Sequence, residues 1–564
     1  MKSLFRKRRQ LAIAITSLMI TGHVGLGSAS AESISEQGLT PVVVQTTLLE
    51  DASEVVQHSA EIAQPAPVEA PAPEPMVIDE PYIGYQDLAP IQSSSCGTTC
   101  NCCTKEKKAA ANAGLKKAYG GVFYGNNFGY LSDPCYDGPE FWSDALKNIK
   151  TPFGTWSFGG ESRTRYHDER NFRGPASLTG QDDNFWLTRH RLYADWRVND
   201  SLRFYGEMLD ANSSGESIAP LPIEENDMDI QNLFVDVKLF DGDFGKLTAR
   251  VGRQELIYGA QRTVSPLDWA NTRRTFEGVR GLYQKGDFSL DGFWTRPVIV
   301  DPKDADQGDE RQDFFGVYAT QKGLPVGTLE SYYLGYNNEN VGAGGRTQNF
   351  TYHTVGSRVS GKTSKDWLYD VEGAMQFGDN NTVDSHAAGF FTGGLGRKIQ
   401  VGKLSPTIWQ WYDYASGSED GDPSIGDGGY HHLFPLAHKY NGFLDLFGRR
   451  NLHDINTQII TPLGDKVTMI LWYHYFMLDQ DTTPYNVVMI PYNAGNDAGD
   501  RELGHEIDIL FNINLNARNN VLLGYSHFSG GDYYDTTVLP AATAAELDGD
   551  FDADFFYFQF QSRY

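Results

Sequence analysis

The chain has 564 residues, 73 acidic against 47 basic side chains, a net charge of −26 and 13% aromatics. That balance excludes a nucleic-acid binder, which needs clustered Lys and Arg for phosphates. The aromatic content excludes a wholly disordered chain, and a mean hydropathy of −0.43 excludes a helical membrane protein. A transmembrane barrel is not excluded, because alternation hides its apolar residues from any average.

Lys2, Arg6, Lys7, Arg8 and Arg9 precede a mostly apolar stretch, and Ala29-Ser30-Ala31 offers a cleavage site. This predicts a secretory signal peptide over 1–31, since the apolar core falls short of the ~20 residues that span a bilayer. Residues 32–95, rich in Ala, Pro, Glu, Val and Gln, predict a disordered linker with extended, spacer-like prolines. The five cysteines, Cys96, Cys100, Cys102, Cys103 and Cys135, all fall in a segment expected to be periplasmic, 96–150. In an exported chain they predict one or two disulfides with one thiol left over; their spacing fits no usual zinc pattern. The Ala- and Lys-rich run 105–117 predicts a short, solvated basic helix.

From Thr151 to Tyr564 apolar and polar residues alternate in segments separated by Asp, Asn, Gly and Ser. In 156–166, Glu161, Arg163 and Arg165 share one parity, and Trp156, Phe158 and Tyr166 the other. Around Glu506 and Asp508 the opposite parity carries Ile507, Ile509 and Phe511. At about 10 residues per strand and roughly 13 per connection, this region holds on the order of 18 strands. Closing them predicts an all-β, antiparallel transmembrane barrel over 151–564, with one face for lipid and one for a water-filled lumen. Phe556, Phe558, Phe560 and the terminal Tyr564 share a parity, as in the last strand of outer-membrane barrels.

The polar parity carries Arg163, Arg165, Arg189, Arg191, Arg197, Arg203, Arg250, Arg280 and Arg358. Guanidiniums from separate strands suit an anion-selective path, because their planar fork pairs with carboxylates. The competing role is packing against wall carboxylates: Glu161, Asp195, Glu207, Asp236, Asp370, Glu372, Glu506 and Asp508. Arg253, counted with the path, breaks the apolar parity of Leu247, Ala249 and Val251, which predicts a bulge or strand end. There Arg253 and Glu255 either meet substrate or tie a loop to the wall. Acids gather in turn-like runs: Asp301, Asp304, Asp306, Asp309 and Glu310; Glu419, Asp420, Asp422 and Asp427; Asp548, Asp550, Asp552 and Asp554. These predict solvated loops, with binding of Ca²⁺ or of cations that bridge lipopolysaccharide as the alternative role for their oxygens. No cofactor and no enzyme is expected: Gly-x-Ser-x-Gly and His-Glu-x-x-His are missing from the sequence.

Three sets of residues resemble a known family. Gly252-Arg253-Gln254-Glu255-Leu256-Ile257-Tyr258-Gly259 is followed by Arg262, Asp268-Trp269, Asn271, Arg273 and Phe276-Glu277-Gly278-Val279-Arg280. Further on come His438-Lys439-Tyr440 with Gly442-Phe443, and Leu503-Gly504-His505-Glu506-Ile507-Asp508 with Gly524-Tyr525-Ser526-His527-Phe528. Together they resemble the alginate export family. The resemblance implies an 18-stranded bacterial outer-membrane channel that passes an anionic polyuronate through an arginine-rich lumen. The N-terminal segment lies outside that family pattern. The partners this reading implies are outer-membrane lipid, an anionic polysaccharide or small solutes, and, for the N-terminal segment, the cell wall or a periplasmic export partner. The rival functions are a general or sugar-selective diffusion porin and a surface structural barrel.

Overall fold

The computed structural model describes residues 103–564 except 174–177, 341–348, 381–384, 419–427, 493–498, 538–546 and 548. The expected signal peptide, the linker 32–95, Cys96, Cys100, Cys102 and the acidic run 419–427 lie outside the described residues.

Eighteen antiparallel strands form a closed barrel. They are β1 (Gly154–Arg170), β2 (Asp183–Arg197), β3 (Leu202–Ser214), β4 (Asn226–Gly242), β5 (Gly245–Gln254) and β6 (Phe276–Lys285). Next come β7 (Phe288–Ile299), β8 (Gln312–Leu324), β9 (Gly327–Asn338), β10 (Phe350–Lys362), β11 (Trp367–Asp379) and β12 (His386–Lys398). The last are β13 (Thr407–Ala415), β14 (Leu452–Pro462), β15 (Val467–Met477), β16 (Glu502–Asn514), β17 (Asn519–Gly530) and β18 (Ala553–Arg563). Each strand pairs with its neighbour in sequence, and β18 returns to β1 through pairs such as Gln561 with Arg163. Tyr564 adds reciprocal backbone bonds with Gly160 at 2.7 and 3.0 Å. Closure therefore leaves no edge to recruit another chain.

Period-2 alternation decides which side chains face out. On β16, Glu506, Asp508 and Leu510 are buried while Ile507 and Ile509 are 43% and 38% exposed. On β2, Arg189 and Arg191 are buried while Trp186 and Leu192 are exposed. A wall that hides arginines and exposes leucine and tryptophan is stable only against hydrocarbon. Among the described residues no helix is long and apolar enough to cross a membrane. Two outward girdles bound this wall. At one end Trp156, Trp196 and Phe204 stack at 4.9 and 5.3 Å. At the other, Tyr333 meets His353, Tyr412 meets His453 and Tyr473 meets His505, each pair bonded at 2.7–2.8 Å. Amphipathic rings at both ends match the two polar–apolar boundaries of a bilayer.

The connections are asymmetric. Turns at one end are short, such as 243–244, 286–287 and 325–326; those at the other include 255–275, 416–451 and 478–501. Both the start of β1 and the end of β18 sit at the short-turn end. In outer-membrane barrels short turns face the periplasm and long loops the exterior.

Candidate transport path

The inward arginines do not line open water. Arg189 holds Glu161 at 2.7 Å and Asp268 at 2.8 Å, and Arg191 holds Glu207 at 2.5 Å. Arg203 meets Asp195 at 2.6 Å, and Arg250 grips Asp236 with two bonds of 2.7 and 2.9 Å. Arg280 pairs with Asp291, and Arg358 with Asp370 at 2.9 Å and with Glu330. All of these guanidiniums are at most 3% exposed. Arg197, at the short-turn end of β2, is the most open, with its side chain 29% exposed beside Asp195 at 3.4 Å. Arg163 and Arg165 bond backbone instead: Arg163 reaches Asp268 O at 2.8 Å and Ala270 O at 3.0 Å, and Arg165 reaches Trp269 O at 3.1 Å.

Those carbonyls belong to the β5–β6 connection, 255–275, which folds into the barrel. The Arg165 guanidinium lies 3.5 Å over the Trp269 ring, and His438 stacks on the same indole at 4.4 Å. Asn271 donates to Thr188 O and Glu224 O at 2.9 and 3.0 Å, and Arg273 pairs with both Glu255 and Asp268. A second inward loop, 428–451, packs beside the first: Phe434 donates to Thr263 O at 2.9 Å and accepts from Ser265 at 2.8 Å. Arg262 crosses the lumen to Glu372 at 2.9 Å and Asp370 at 3.2 Å, and Arg449 reaches Asp413 at 3.0 Å. Six non-glycine residues of the two connections, Gln261, Leu267, Arg273, Leu433, Asp445 and Asn451, take left-handed backbone angles of 52–64°. Such strain persists only where surrounding contacts over-determine the backbone.

Glu506 and Asp508 sit in a different setting. Leu444 N donates to Glu506 at 2.9 Å, and Gly442, at φ +88°, lies against the same carboxylate with no room for a Cβ. His474 bonds Asp454 at 2.9 Å and stands 3.7 Å from Asp508. The motifs around Gly442 and Glu506, separate in sequence, thus meet as loop and wall. His438 bonds Asp445 at 2.6 Å. Burial, then the Arg165 charge, holds His438 well below the ordinary histidine range; burial, then Asp508, pushes Asp445 well above the carboxylate range. Both directions favour the uncharged form of each partner.

The segment before β1 fills the short-turn end. Cys103 and Cys135 form a disulfide, and helix α1 (Lys105–Lys116) starts at Thr104, whose side chain accepts from Lys107 N. Beyond the exposed helix, Phe123 and Tyr124 enter the barrel against Tyr193 at 5.6 Å and Phe234 at 5.2 Å. Arg203 donates to Tyr124 O at 2.8 Å, Arg273 to Gly121 O at 3.1 Å, and Tyr124 to Glu255 O at 2.6 Å. Arg518, in the β16–β17 turn, holds Ser143, Asp144 and Tyr130. Lys147 donates to Phe158 O and Tyr193; burial, then the Arg518 charge, lowers its amine to about 7. A cavity of about 80 Å³ lies in the lumen beside Trp269.

Arg253 stands at a strand end, one of its two expected places, but outside the transport path with which it is counted. Strand β5 runs without a bulge to its end at Gln254, so Arg253 keeps the outward parity of Val251 and does not line the lumen. It binds Glu277 at 2.7 Å, Ile230 O at 2.9 Å and Asp306 O at 2.6 Å, fastening loop 300–311 to the wall. Glu255, one residue past the strand, turns inward to Arg273. Among the described residues no group of His, Cys, Asp and Glu side chains is arranged to hold a metal ion. The lumen-filling roles of Arg262, Asp268, Trp269, Arg273 and Arg449 were not predicted by alternation, which applies only to strands.

A family model for alginate export matches residues 155–546. Among solved structures, Pseudomonas aeruginosa OccD3 (OpdP) is similar at 10% identity and a TM-score of 0.46, covering 76% of this chain and 98% of that one. Pseudomonas aeruginosa OpdK with vanillate gives 11% and 0.47, covering 72% and 98%; a BenF-like porin from Pseudomonas fluorescens gives 10% and 0.45, covering 72% and 99%. The curated proteins give no match. With a hydrocarbon-facing wall around a polar lumen, the protein is a channel of the bacterial outer membrane, and the chain belongs to the alginate export family.

Proposed function

We propose that this channel passes an anionic polysaccharide of the alginate class, and that the polymer's carboxylates replace the wall and loop acceptors on the lumen arginines. The supporting observation is the series Arg165, Arg163, Arg189, Arg191, Arg250 and Arg280. Drawn from strands β1, β2, β5 and β6, all six face inward and are fully buried. A uronate offers the same two oxygens as Asp or Glu, so exchanging one for the other changes little in bond chemistry. Once water enters, each contact falls to the ~0–1 kcal/mol of a solvated ion pair, weak enough to release the next sugar. Passage requires loops 255–275 and 428–451 and the N-terminal segment to leave the lumen.

The test is a planar-bilayer recording of a variant with 428–450 replaced by a short Gly-Ser linker. Polymannuronate is expected to block its current, and Arg189→Glu with Arg191→Glu to shift the reversal potential toward cations. Current indifferent to polymannuronate contradicts the polymer reading. A second reading, diffusion of small anionic solutes, is favoured by the packing of loops 255–275 and 428–451 into the lumen; block by benzoate alone would select it.

A further inference from the structure

The outward wall is dented near its long-loop end. On β4, the adjacent Gln231 and Asn232 are both buried and the register with β3 shifts, so Ile230 and Leu233 both face out. A bulge of this kind bends its strand and strengthens the local twist. On β5 and β6, Gly252 pairs with Gly278, leaving no side chain between the pair Val251–Val279 and the pair Arg253–Glu277. The result is a notch of about 400 Å³. Its walls are Ile230, Leu233, Val251 and Val279, each 40–55% exposed, and Arg253 and Glu277 bound it on the long-loop side.

A second observation puts this notch at the edge of the hydrocarbon. Arg253, Glu277, Arg296 and Asp313 stand side by side on the outward faces of β5–β8: Arg253 opposes Glu277, Glu277 opposes Arg296, and Arg296 lies 3.5 Å from Asp313. The next outward row, toward the short turns, is Val251, Val279, Trp294 and Phe315. Charges on a lipid-facing wall are tolerated only near the interface, so the first row lies at headgroup level and the second in hydrocarbon. Arg253 is held by Glu277 and two carbonyl oxygens. Arg296 is held less: its side chain is 35% exposed, its guanidinium lies 5.5 Å from the Trp294 ring, and it forms no hydrogen bond among the described residues. Glu277, with its side chain 42% exposed, gives Arg253 only Oε1.

We propose that the notch and this charged row bind one molecule of an acylated, phosphate-bearing sugar lipid of the outer leaflet, with an acyl chain in the notch and the phosphate on Arg296. The notch opens onto the same hydrocarbon that the rest of the wall faces, and a flexible chain restores the dispersion contacts that the dent forfeits. The row carries both signs in equal number, so it suits a mixed headgroup rather than a bare anion. Phosphate oxygens meet Arg296, and sugar hydroxyls or amides donate to the second oxygen of Glu277. The site stands on the outer wall, independent of what the lumen carries.

The test is mass spectrometry of the lipid retained by the full chain after extraction into mild detergent from nanodiscs of equal parts lipid A and phosphatidylethanolamine. The parent is expected to keep one lipid A per chain. Val251→Trp with Val279→Trp, which fills the notch, and separately Arg296→Gln, are each expected to lower that retention by about tenfold, with the gel mobility of the folded barrel unchanged. Val355→Trp with Met375→Trp, an exposed outward pair on β10 and β11, leaves retention at the parent's level. No lipid A on the parent, equal retention of phosphatidylethanolamine, parental retention in the notch variant or in Arg296→Gln, or a matching loss in the β10–β11 variant overturns the site.

Discussion

Removing a single carboxylate from the lumen wall strands the cation it holds. Asp236 accepts both bonds of Arg250 and lies 3.5 Å from Arg203, with no exposure to solvent. Asp236→Asn is therefore expected to cost about 3–5 kcal/mol of unfolding free energy, the usual penalty for leaving a buried charge unpaired. The double replacement Arg250→Met with Asp236→Leu is expected to cost much less, since both members of the main pair are removed and Arg203 keeps Asp195. Denaturant titration of the folded, heat-modifiable band on gels reads both. Lys147 gives a pH signature. Its amine titrates at about 7 when docked and near 10.4 when exposed, so the undocked segment binds more protons between those values. Docking is then strongest above about 10.4, weakens as pH falls, and levels off below about 7. Protease cutting within 103–148 should rise by up to about tenfold per pH unit across that window, and Lys147→Met should flatten the slope.

At the level of elements, strands and loops were legible to different degrees. The parity of β1, β2, β11 and β16 could be read directly, because a strand with one face in lipid must alternate. Arg253 was legible only as an exception: its charge on an apolar parity marked a fastening point, but not its outward direction. The lumen-filling loops were not legible. Residues 255–275 and 428–451 have no period, and their buried Trp269, Tyr440 and Phe434 are spaced as in any polar loop. The N-terminal segment misleads for a similar reason: the lysines of α1 announce solvent, while Phe123, Tyr124, Tyr130, Ser143, Asp144 and Lys147 carry contacts with the barrel. If Trp269 is the keystone between the two loops, Trp269→Ala opens them. The expected result is a several-fold gain in single-channel conductance, with the gel mobility of the folded barrel unchanged; unchanged conductance would show that the loops hold without it.

Residues 154–563 form a lipid-facing barrel whose polar interior is occupied by parts of the same chain. The closed seam between β1 and β18 makes the wall rigid, so opening is a matter of the contents rather than the cylinder. Arginines that would attract a polyanion are meanwhile matched by internal acceptors, which compensates their charge inside the barrel. The direct measurement is ion conductance in planar bilayers, comparing the full chain with a variant that lacks 103–148 and carries the short linker in place of 428–450. The account predicts a parent that conducts little and a variant with large, steady, anion-preferring steps. Equal conductance in the two proteins, or a cation preference in the variant, would contradict it.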